Sequence, residues 1–218
     1  MRVSIPQRRA GYTLVELMIG MAILGSLTGA ALLATNNGIG SYESARAGEE
    51  AQTKLHRAAN RMTQELMSSS LSVLGPAGLM DDFGSSSLNF QAPTAIGPTG
   101  PIWGATQTIT GEYAPGELDD GIDNNGNGLI DEGILVLTRD AGLPGAQRIV
   151  LCSNLRETFP GEILGNLADD NGNGVNDESG FNASIVDNVL TLRLCIEVPS
   201  FEGTTVIREL TTSTRMRN

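Results

Sequence analysis

The sequence predicts an α+β protein, in which a long N-terminal α-helix packs on an antiparallel β-sheet domain. Two patterns carry this prediction. Apolar residues recur at helical spacing after a long uncharged run near the N-terminus, and the second half of the chain contains apolar runs separated by turn residues. With 218 residues, 40% of them hydrophobic, the chain is long enough to bury the core of one domain.

Composition argues against several classes of function. The formal net charge of −11 argues against a nucleic-acid-binding protein, which needs a basic surface. A single histidine argues against His-rich metal sites and His-based catalytic triads, and two cysteines exclude a Cys₄ zinc site. Because the chain also lacks a Gly-x-Ser-x-Gly motif and a phosphate-binding loop, we do not expect an enzyme.

The first element is a predicted transmembrane helix over residues 12–35. Three arginines, at positions 2, 8 and 9, precede 18 residues without a charge, Leu17–Ala34. Counted from Tyr12, the stretch is long enough to cross a bilayer as a helix, which rises about 1.5 Å per residue. Arginines before such a segment keep that end in the cytoplasm, so the rest of the chain is expected beyond the membrane.

The start of this helix carries a family resemblance. The run Gly11-Tyr12-Thr13-Leu14-Val15-Glu16, after a short basic leader, resembles the prepilin signal of type IV pilins and type II secretion pseudopilins. The resemblance implies that a prepilin peptidase removes residues 1–11, cutting after Gly11 and methylating the new N-terminus at Tyr12. It also implies assembly with other pilin or pseudopilin subunits.

Glu16 is the carboxylate inside this apolar segment, where a charge is costly. In an assembled filament it would neutralise the N-terminal amine of Tyr12 on a neighbouring subunit, so that both charges become tolerable only when subunits pack. One alternative places Glu16 at the membrane interface, where its head group reaches water. Another is an ordinary secretory signal peptide cut between Ala31 and Ala34, whose apolar core Glu16 would interrupt.

Residues 36–70 are the predicted second half of the helix. The run Asn36–Gly40 lowers helix propensity, and the sequence leaves open whether it is a hinge or a turn at the membrane exit. The pilin resemblance implies that this half lies on a β-sheet, and residues 49–66 are most similar to J-type pseudopilins and W-type minor pilins. Its apolar face consists of Leu55, Ala58, Ala59, Met62 and Leu66, at helical spacing.

Residues 71–218 are the predicted domain outside the membrane. Its first part, 71–118, is rich in glycine, proline and serine, so we expect loops with one or two short strands and an exposed, partner-specific surface. Strand-like runs follow, and the turns between them favour an antiparallel sheet. These runs are 134–138, 146–152, 184–198 and 204–214.

Two acidic loops, 119–133 and 169–179, interrupt the predicted strands. Residues 123–132 read DNNGNGLIDE and residues 169–178 read DDNGNGVNDE, so seven of ten positions are identical at a separation of 46 residues. Asp, Asn and Asn at positions 1, 3 and 5 precede a glycine at position 6, as in the first half of an EF-hand loop. In such a loop alternate residues turn their oxygens toward one Ca²⁺ ion.

We therefore predict two structural Ca²⁺ ions, one in each loop. The late acids fall at positions 9 and 10, so the loops are more similar to the shortened loops of dockerin-like and thrombospondin type 3 repeats than to an EF-hand. Solvated turns are the alternative, but they do not explain the shared spacing. The predicted ligands are Asp123, Asn125, Asn127, the Leu129 carbonyl and Asp131 or Glu132 in the first loop, and Asp169, Asn171, Asn173, the Val175 carbonyl and Asp177 or Glu178 in the second.

Cys152 and Cys195 lie in two of the predicted strands. The environment beyond an inner membrane is oxidising, so we predict a disulfide between these two residues. The alternative is a pair of buried free thiols.

These features predict a minor pilin or pseudopilin, a structural subunit of a type II secretion pseudopilus or a type IV pilus. It would be held in the bacterial inner membrane by one span, with its C-terminal domain in the periplasm, and then enter a filament. The alternative is a calcium-dependent adhesin or substrate-binding module at a pilus tip, with residues 71–118 as its binding face. No nucleic-acid partner is expected.

Overall fold

The computed structural model describes residues 12–76, 79 and 83–216. Within them a helix of 53 residues, α1, precedes an antiparallel sheet, so the predicted α+β class is confirmed. Short 3₁₀ turns lie at Leu71–Val73 and Phe201–Gly203. The elements are α1 (Leu14–Leu66), β1 (Ser87–Gly97), β2 (Gly100–Tyr113), β3 (Gly133–Arg139), β4 (Gln147–Leu155), β5 (Phe181–Val186), β6 (Val189–Pro199) and β7 (Thr205–Arg215).

The chain divides into two compact units between Glu43 and Ser44. In the first unit, α1 contains an apolar segment with a mean hydropathy of 2.0, none of which is buried, and which is long enough to cross a membrane. The run Asn36–Gly40 is helical, as are the residues on both sides of it. It is therefore neither a break nor a turn in this structure.

In the second unit, the C-terminal part of α1 packs on one face of the sheet. Its apolar residues join one core cluster with strand residues such as Phe90, Leu135 and Leu192. The predicted amphipathic face is confirmed, although the helix ends at Leu66 rather than near residue 70. The buried residues of α1 are Ala47, Gly48, Ala51, Leu55, Ala58, Ala59, Met62 and Leu66.

The sheet is antiparallel throughout, with the strand order β1-β2-β3-β4-β6-β5, and β7 pairs with β6 outside this path. β6 therefore has three neighbours. Its strand pairing with β4 is limited to one residue pair, Leu155 with Ile196. Alternate residues of β6 face the core, namely Leu190, Leu192, Leu194, Ile196 and Val198.

Two strand predictions were wrong in detail. Residues 184–198 form two strands rather than one, because Asp187 and Asn188 make a hairpin turn between β5 and β6 with φ angles of 52° and 65°. Two positive φ angles in a two-residue turn match the twist of the flanking strands. In the region 71–118 the strands β1 and β2 are long rather than short, with 11 and 14 residues.

Candidate assembly site and cation-binding loops

Glu16 lies in the first turn of α1 and closes a capping box with Thr13. The backbone N–H and the hydroxyl of Thr13 both donate to Glu16 Oε2, at 2.8 and 3.0 Å. The Glu16 N–H donates to Thr13 Oγ1 at 3.3 Å. This reciprocal pairing satisfies N–H groups that have no partner at the start of a helix. The predicted role of Glu16 did not include this cap, although the Thr-x-x-Glu spacing indicates it.

Tyr12, the first described residue, lies directly before the capping box and is exposed. Gly11 and the predicted leader 1–11 lie outside the described residues. Within the described chain Glu16 Oε1 accepts no hydrogen bond, whereas Oε2 is held by Thr13. One oxygen of Glu16 thus stabilises its own helix, and the other is open to a second donor.

Residues 6–32 match the family model of the prokaryotic N-terminal methylation motif. The chain carries a prepilin motif. The match spans the predicted cleavage position, Glu16 and the first turns of α1, and it supports a pilin or pseudopilin that is processed by prepilin peptidase. No curated protein and no solved structure matches the chain.

The motif points to a structural subunit that assembles with other pilins, rather than to an enzyme. Together with the apolar segment of α1, it fits a protein held in the inner membrane by a single span.

The two acidic loops of this prepilin-type chain have the same backbone conformation. The first connects β2 to β3, and the second connects β4 to β5. A positive φ angle at position 6 explains the glycine there, since other residues rarely adopt that conformation. The φ angles are 76° and 74° at Gly126 and Gly172, 89° and 90° at Gly128 and Gly174, and 51° at both Asp131 and Asp177.

The aspartate at position 1 of each loop binds the backbone of the turn. Asp123 Oδ1 accepts hydrogen bonds from the N–H groups of Gly126 at 2.7 Å and Asn127 at 3.2 Å, and its Oδ2 accepts from Gly128 at 2.8 Å. Asp169 accepts the three equivalent bonds at 2.7, 3.0 and 2.8 Å. These carboxylates hold the tight turn that the glycines permit.

The structure separates the two late acids of each loop. Asp131 accepts hydrogen bonds from the N–H groups of Asp120 at 3.2 Å and Gly121 at 2.8 Å. Asp177 accepts the equivalent bonds from residues 166 and 167, at 3.2 and 3.0 Å. Both aspartates are therefore engaged with the backbone of the preceding segment.

Glu132 and Glu178 instead face the centre of their own loops. The side-chain amides of Asn125 and Asn127 donate to Glu132 Oε1 at 2.7 and 2.6 Å. The amides of the equivalent asparagines, Asn171 and Asn173, donate to Glu178 Oε2. Residues at positions 3, 5 and 10 thus converge in both loops.

A second glutamate, which the sequence analysis missed, contacts each loop. Glu117 Oε1 accepts a hydrogen bond from the Asn125 N–H at 2.8 Å, and Glu162 Oε1 accepts one from the Asn171 N–H at 3.0 Å. These glutamates precede position 1 by six and seven residues, so a fixed spacing does not reveal them. The signal that identifies them is a Pro-Gly-Glu triplet before each loop, at 115–117 and 160–162.

All four glutamates are buried, and one oxygen of each lacks a hydrogen-bond partner. Their exposed fractions are 6% for Glu117, 3% for Glu132, 7% for Glu162 and 0% for Glu178. Oε2 of the first three and Oε1 of Glu178 lack a hydrogen-bond partner. Burial, reinforced by the nearby Glu162 carboxylate, raises the pKa of Glu178 above its usual value. A buried, unpaired carboxylate is costly, and a cation between two of them offsets that cost.

The loops contain candidate oxygen ligands for a calcium ion, although the asparagine amides here turn Nδ2 to the glutamates and Oδ1 to backbone N–H groups. Among the described residues no group of three Asp, Glu, His or Cys side chains lies close enough together to hold a metal ion. A site in either loop therefore needs asparagine side chains and backbone carbonyls as well, and requires its acids to close around the ion. Carboxylate, amide and carbonyl oxygens are the ligands that Ca²⁺ takes in proteins. The side chains of Leu129 and Val175 are buried at 2% and 4% exposure, which anchors the predicted carbonyl ligands to the core.

The predicted disulfide is wrong in this structure, because Cys152 and Cys195 are both free and buried. Cys152 pairs with Leu135 and lies in the core cluster. Cys195 lies between Leu194 and Ile196, which both belong to that cluster. Successive side chains of a strand point to opposite faces, so the two thiols lie on opposite sides of the sheet.

Proposed function

We propose that this chain is a minor pilin or pseudopilin, a structural subunit of a type II secretion pseudopilus or a type IV pilus. The observation that supports this most directly is the methylation motif at residues 6–32, which ends inside the apolar part of α1. The similarity of residues 49–66 to J-type pseudopilins and W-type minor pilins supports the minor class. The domain beyond the membrane is proposed to lie in the periplasm and then in the filament.

Glu16 is proposed to guide assembly through its free carboxylate oxygen. Its Oε2 remains bonded to Thr13, and its Oε1 accepts a hydrogen bond from the methylated amine of Tyr12 on a neighbouring subunit. Each charge would be uncompensated in the membrane interior and paired in the filament. Pairing therefore favours assembly over free subunits.

Two calcium ions are proposed to stabilise the domain outside the membrane. Asp123, Asp169 and the asparagines at positions 3 and 5 already converge in tight, ordered turns. A bound Ca²⁺ supplies positive charge to the buried glutamates, of which only Glu178 has a cationic side chain, Arg193, at ion-pair distance in the described chain. We propose a structural role, because the loops lie between strands of one sheet.

The mass of the mature protein tests the proposed processing. The full chain is expressed in cells that contain a prepilin peptidase, extracted from the membrane and measured intact. The expected species begins at methylated Tyr12, and the matched control without the peptidase retains residues 1–11. A mature species that begins near residue 35 would identify an ordinary signal peptide and overturn the proposal.

A tip-located binding module is a second candidate, and the end of the β1–β2 hairpin favours it. β3 pairs only with residues 108–113 of β2. At the hairpin end, among the described residues, β1 and β2 therefore pair only with each other. Ile96 and Ile102 are 91% and 53% exposed there. The double variant Ile96→Ser, Ile102→Ser is expected to lose ligand or substrate capture while assembling normally. A loss of assembly instead would identify the hairpin end as a contact between subunits.

A further inference from the structure

We propose that Glu117 and Glu162 complete two calcium sites from outside the repeated loop motif, and that Arg193 makes these sites unequal in affinity. This proposal rests on the calcium role proposed above. It assigns the ligands that the motif leaves undetermined, and it predicts that the first loop fills before the second.

The two Pro-Gly-Glu triplets fold as equivalent turns. The Glu117 N–H donates to the Ala114 carbonyl at 2.9 Å, and the Glu162 N–H donates to the Phe159 carbonyl at 3.1 Å. The central glycines have φ angles of 95° at Gly116 and 87° at Gly161. The structural repeat is therefore longer than the ten-residue motif, since it includes a turn that precedes each loop.

Each turn packs closely against the asparagine at position 3 of its loop. A Cβ atom added to Gly116 would lie 3.5 Å from Asn125 Cβ, and one added to Gly161 would lie 3.2 Å from Asn171 Cβ. This close approach holds the following glutamate against the loop, where its Oε1 binds the backbone of the same asparagine. The second oxygen, Oε2, is buried without a partner in both glutamates.

The late aspartates are excluded from the proposed ligand sets. Asp131 and Asp177 bind backbone N–H groups of the segment before the loop, whereas Asp123 and Asp169 bind N–H groups within the loop turn itself. Glu132 and Glu178 face the loop centres, and each has a buried oxygen without a hydrogen bond. The proposed side-chain ligands are Glu117, Asp123, Asn125, Asn127 and Glu132 in the first site, and Glu162, Asp169, Asn171, Asn173 and Glu178 in the second.

Arg193 distinguishes the two sites. Its Nε atom on β6 lies 3.5 Å from Glu178 Oε1, and its Nη1 donates to Ser184 Oγ at 3.2 Å. In the described part of the chain no lysine or arginine nitrogen lies within ion-pair distance of Glu117 or Glu132. The second site therefore contains a built-in positive charge that opposes a cation, whereas the first does not.

Calorimetric titration with CaCl₂ tests this proposal on the full chain in detergent after treatment with a chelator. Two sites whose dissociation constants differ at least tenfold are expected. Glu117→Gln is expected to weaken the tighter site at least tenfold, and Glu162→Gln to weaken the other site equally. Arg193→Gln is expected to tighten the weaker site several-fold, because it removes the competing charge without changing a ligand.

Matched variants serve as controls for this titration. Ser184→Ala removes the hydrogen bond of Arg193 but keeps its charge. Glu209→Gln removes an exposed carboxylate on β7 that is not a proposed ligand. Both variants are expected to titrate as the wild type does. Circular dichroism establishes that each variant is folded. If Glu117→Gln does not fold, Glu117→Asp, which keeps the charge but shortens its reach, is expected to show the same weakening.

The outcomes separate this proposal from the ones before it. Wild-type binding that Glu117→Gln and Glu162→Gln leave unchanged overturns the ligand assignment while the calcium role stands. Two sites with equal dissociation constants, unchanged by Arg193→Gln, would overturn the proposed difference in affinity. Absence of binding by the wild type overturns both this proposal and the calcium role, whereas the mass of the mature N-terminus remains an independent result.

Discussion

Glu16 combines two roles through its two carboxylate oxygens. The Thr-x-x-Glu capping box uses Oε2, so the carboxylate is oriented at the start of α1 before any subunit approaches. A charge inside an apolar segment is evident from the sequence, and the structure adds the hydrogen bonds that hold it in place. A residue that is fixed by its own helix loses less conformational freedom when a neighbour binds it.

Substitutions at Glu16 and Thr13 separate these two roles. Glu16→Ala and Glu16→Gln are both expected to be processed normally but to enter filaments poorly, because each removes the charge that pairs with the Tyr12 amine. The matched variant Thr13→Ala removes the side-chain half of the cap and keeps the charge, so it is expected to assemble. Sheared filament fractions and intact mass measure these results, and normal incorporation of Glu16→Gln would contradict the pairing.

The two thiols are expected to be unreactive in the folded protein. Burial raises the pKa of Cys152 to about 11 and that of Cys195 to about 12. A raised pKa leaves the thiol protonated at pH 8, and only the thiolate reacts readily.

Labelling with a thiol reagent at pH 8 checks this expectation without a reductant. We expect almost no reaction in the native protein and two reactive thiols after denaturation. Absence of labelling in the denatured protein would show that the cysteines are paired in the expressed chain.

At the scale of elements, the β5–β6 hairpin depends on a turn of two residues with positive φ angles. Asn188, at 65°, adopts this conformation more readily than alanine does. Asn188→Ala is expected to lower the free energy of unfolding by about 1 kcal/mol, whereas Asn188→Gly is expected to change it little. Chemical unfolding of the full chain in detergent measures both, and equal effects of the two substitutions would contradict the turn assignment.

For the molecule as a whole, calcium is expected to raise thermal stability. A ligand that binds only the folded state at about 100 times its dissociation constant adds about 2.7 kcal/mol per site. Melting of the full chain followed by circular dichroism should therefore shift to lower temperature when EGTA is added and recover with excess Ca²⁺.

Magnesium provides the comparison for this melting experiment. It is expected to restore little of the lost stability, because it retains its waters and rarely occupies such loops. Identical melting curves with calcium and with EGTA would contradict a structural role for the ion.

Much of the fold was predictable because buried apolar residues recur at the spacing of the helix or strand that contains them. The amphipathic face of α1 and the core face of β6 both follow directly from apolar spacing. The β5–β6 turn was missed because apolar residues continue on both sides of Asp187 and Asn188, although an Asp-Asn pair favours such a turn. β1 and β2 were underestimated because their threonines and glycines resemble loop composition.

The candidate site was only partly predictable, for a different reason. The loop motif is local in sequence, so positions 1, 3 and 5 were visible from spacing alone. Glu117 and Glu162 reach the loops through a preceding turn of variable separation, which only the fold brings into contact. The disulfide prediction was wrong because the two thiols lie on opposite faces of the sheet. Cys152 belongs to the core cluster, whereas Cys195 alternates with Leu194 and Ile196, which belong to that cluster.

The single residue pair between β4 and β6 has a mechanical consequence. Strands β1–β4 and strands β5–β7 meet there through the Leu155–Ile196 pair and a hydrogen bond from the Arg156 N–H to the Cys195 carbonyl. The segment before β1 adds a bridge to β5, in which Ser85 and Ala183 exchange two backbone hydrogen bonds of 2.8 Å. The second acidic loop is the covalent connection across this line. Under the proposal that this loop binds an ion, calcium would limit how far the two groups of strands separate when the filament is pulled.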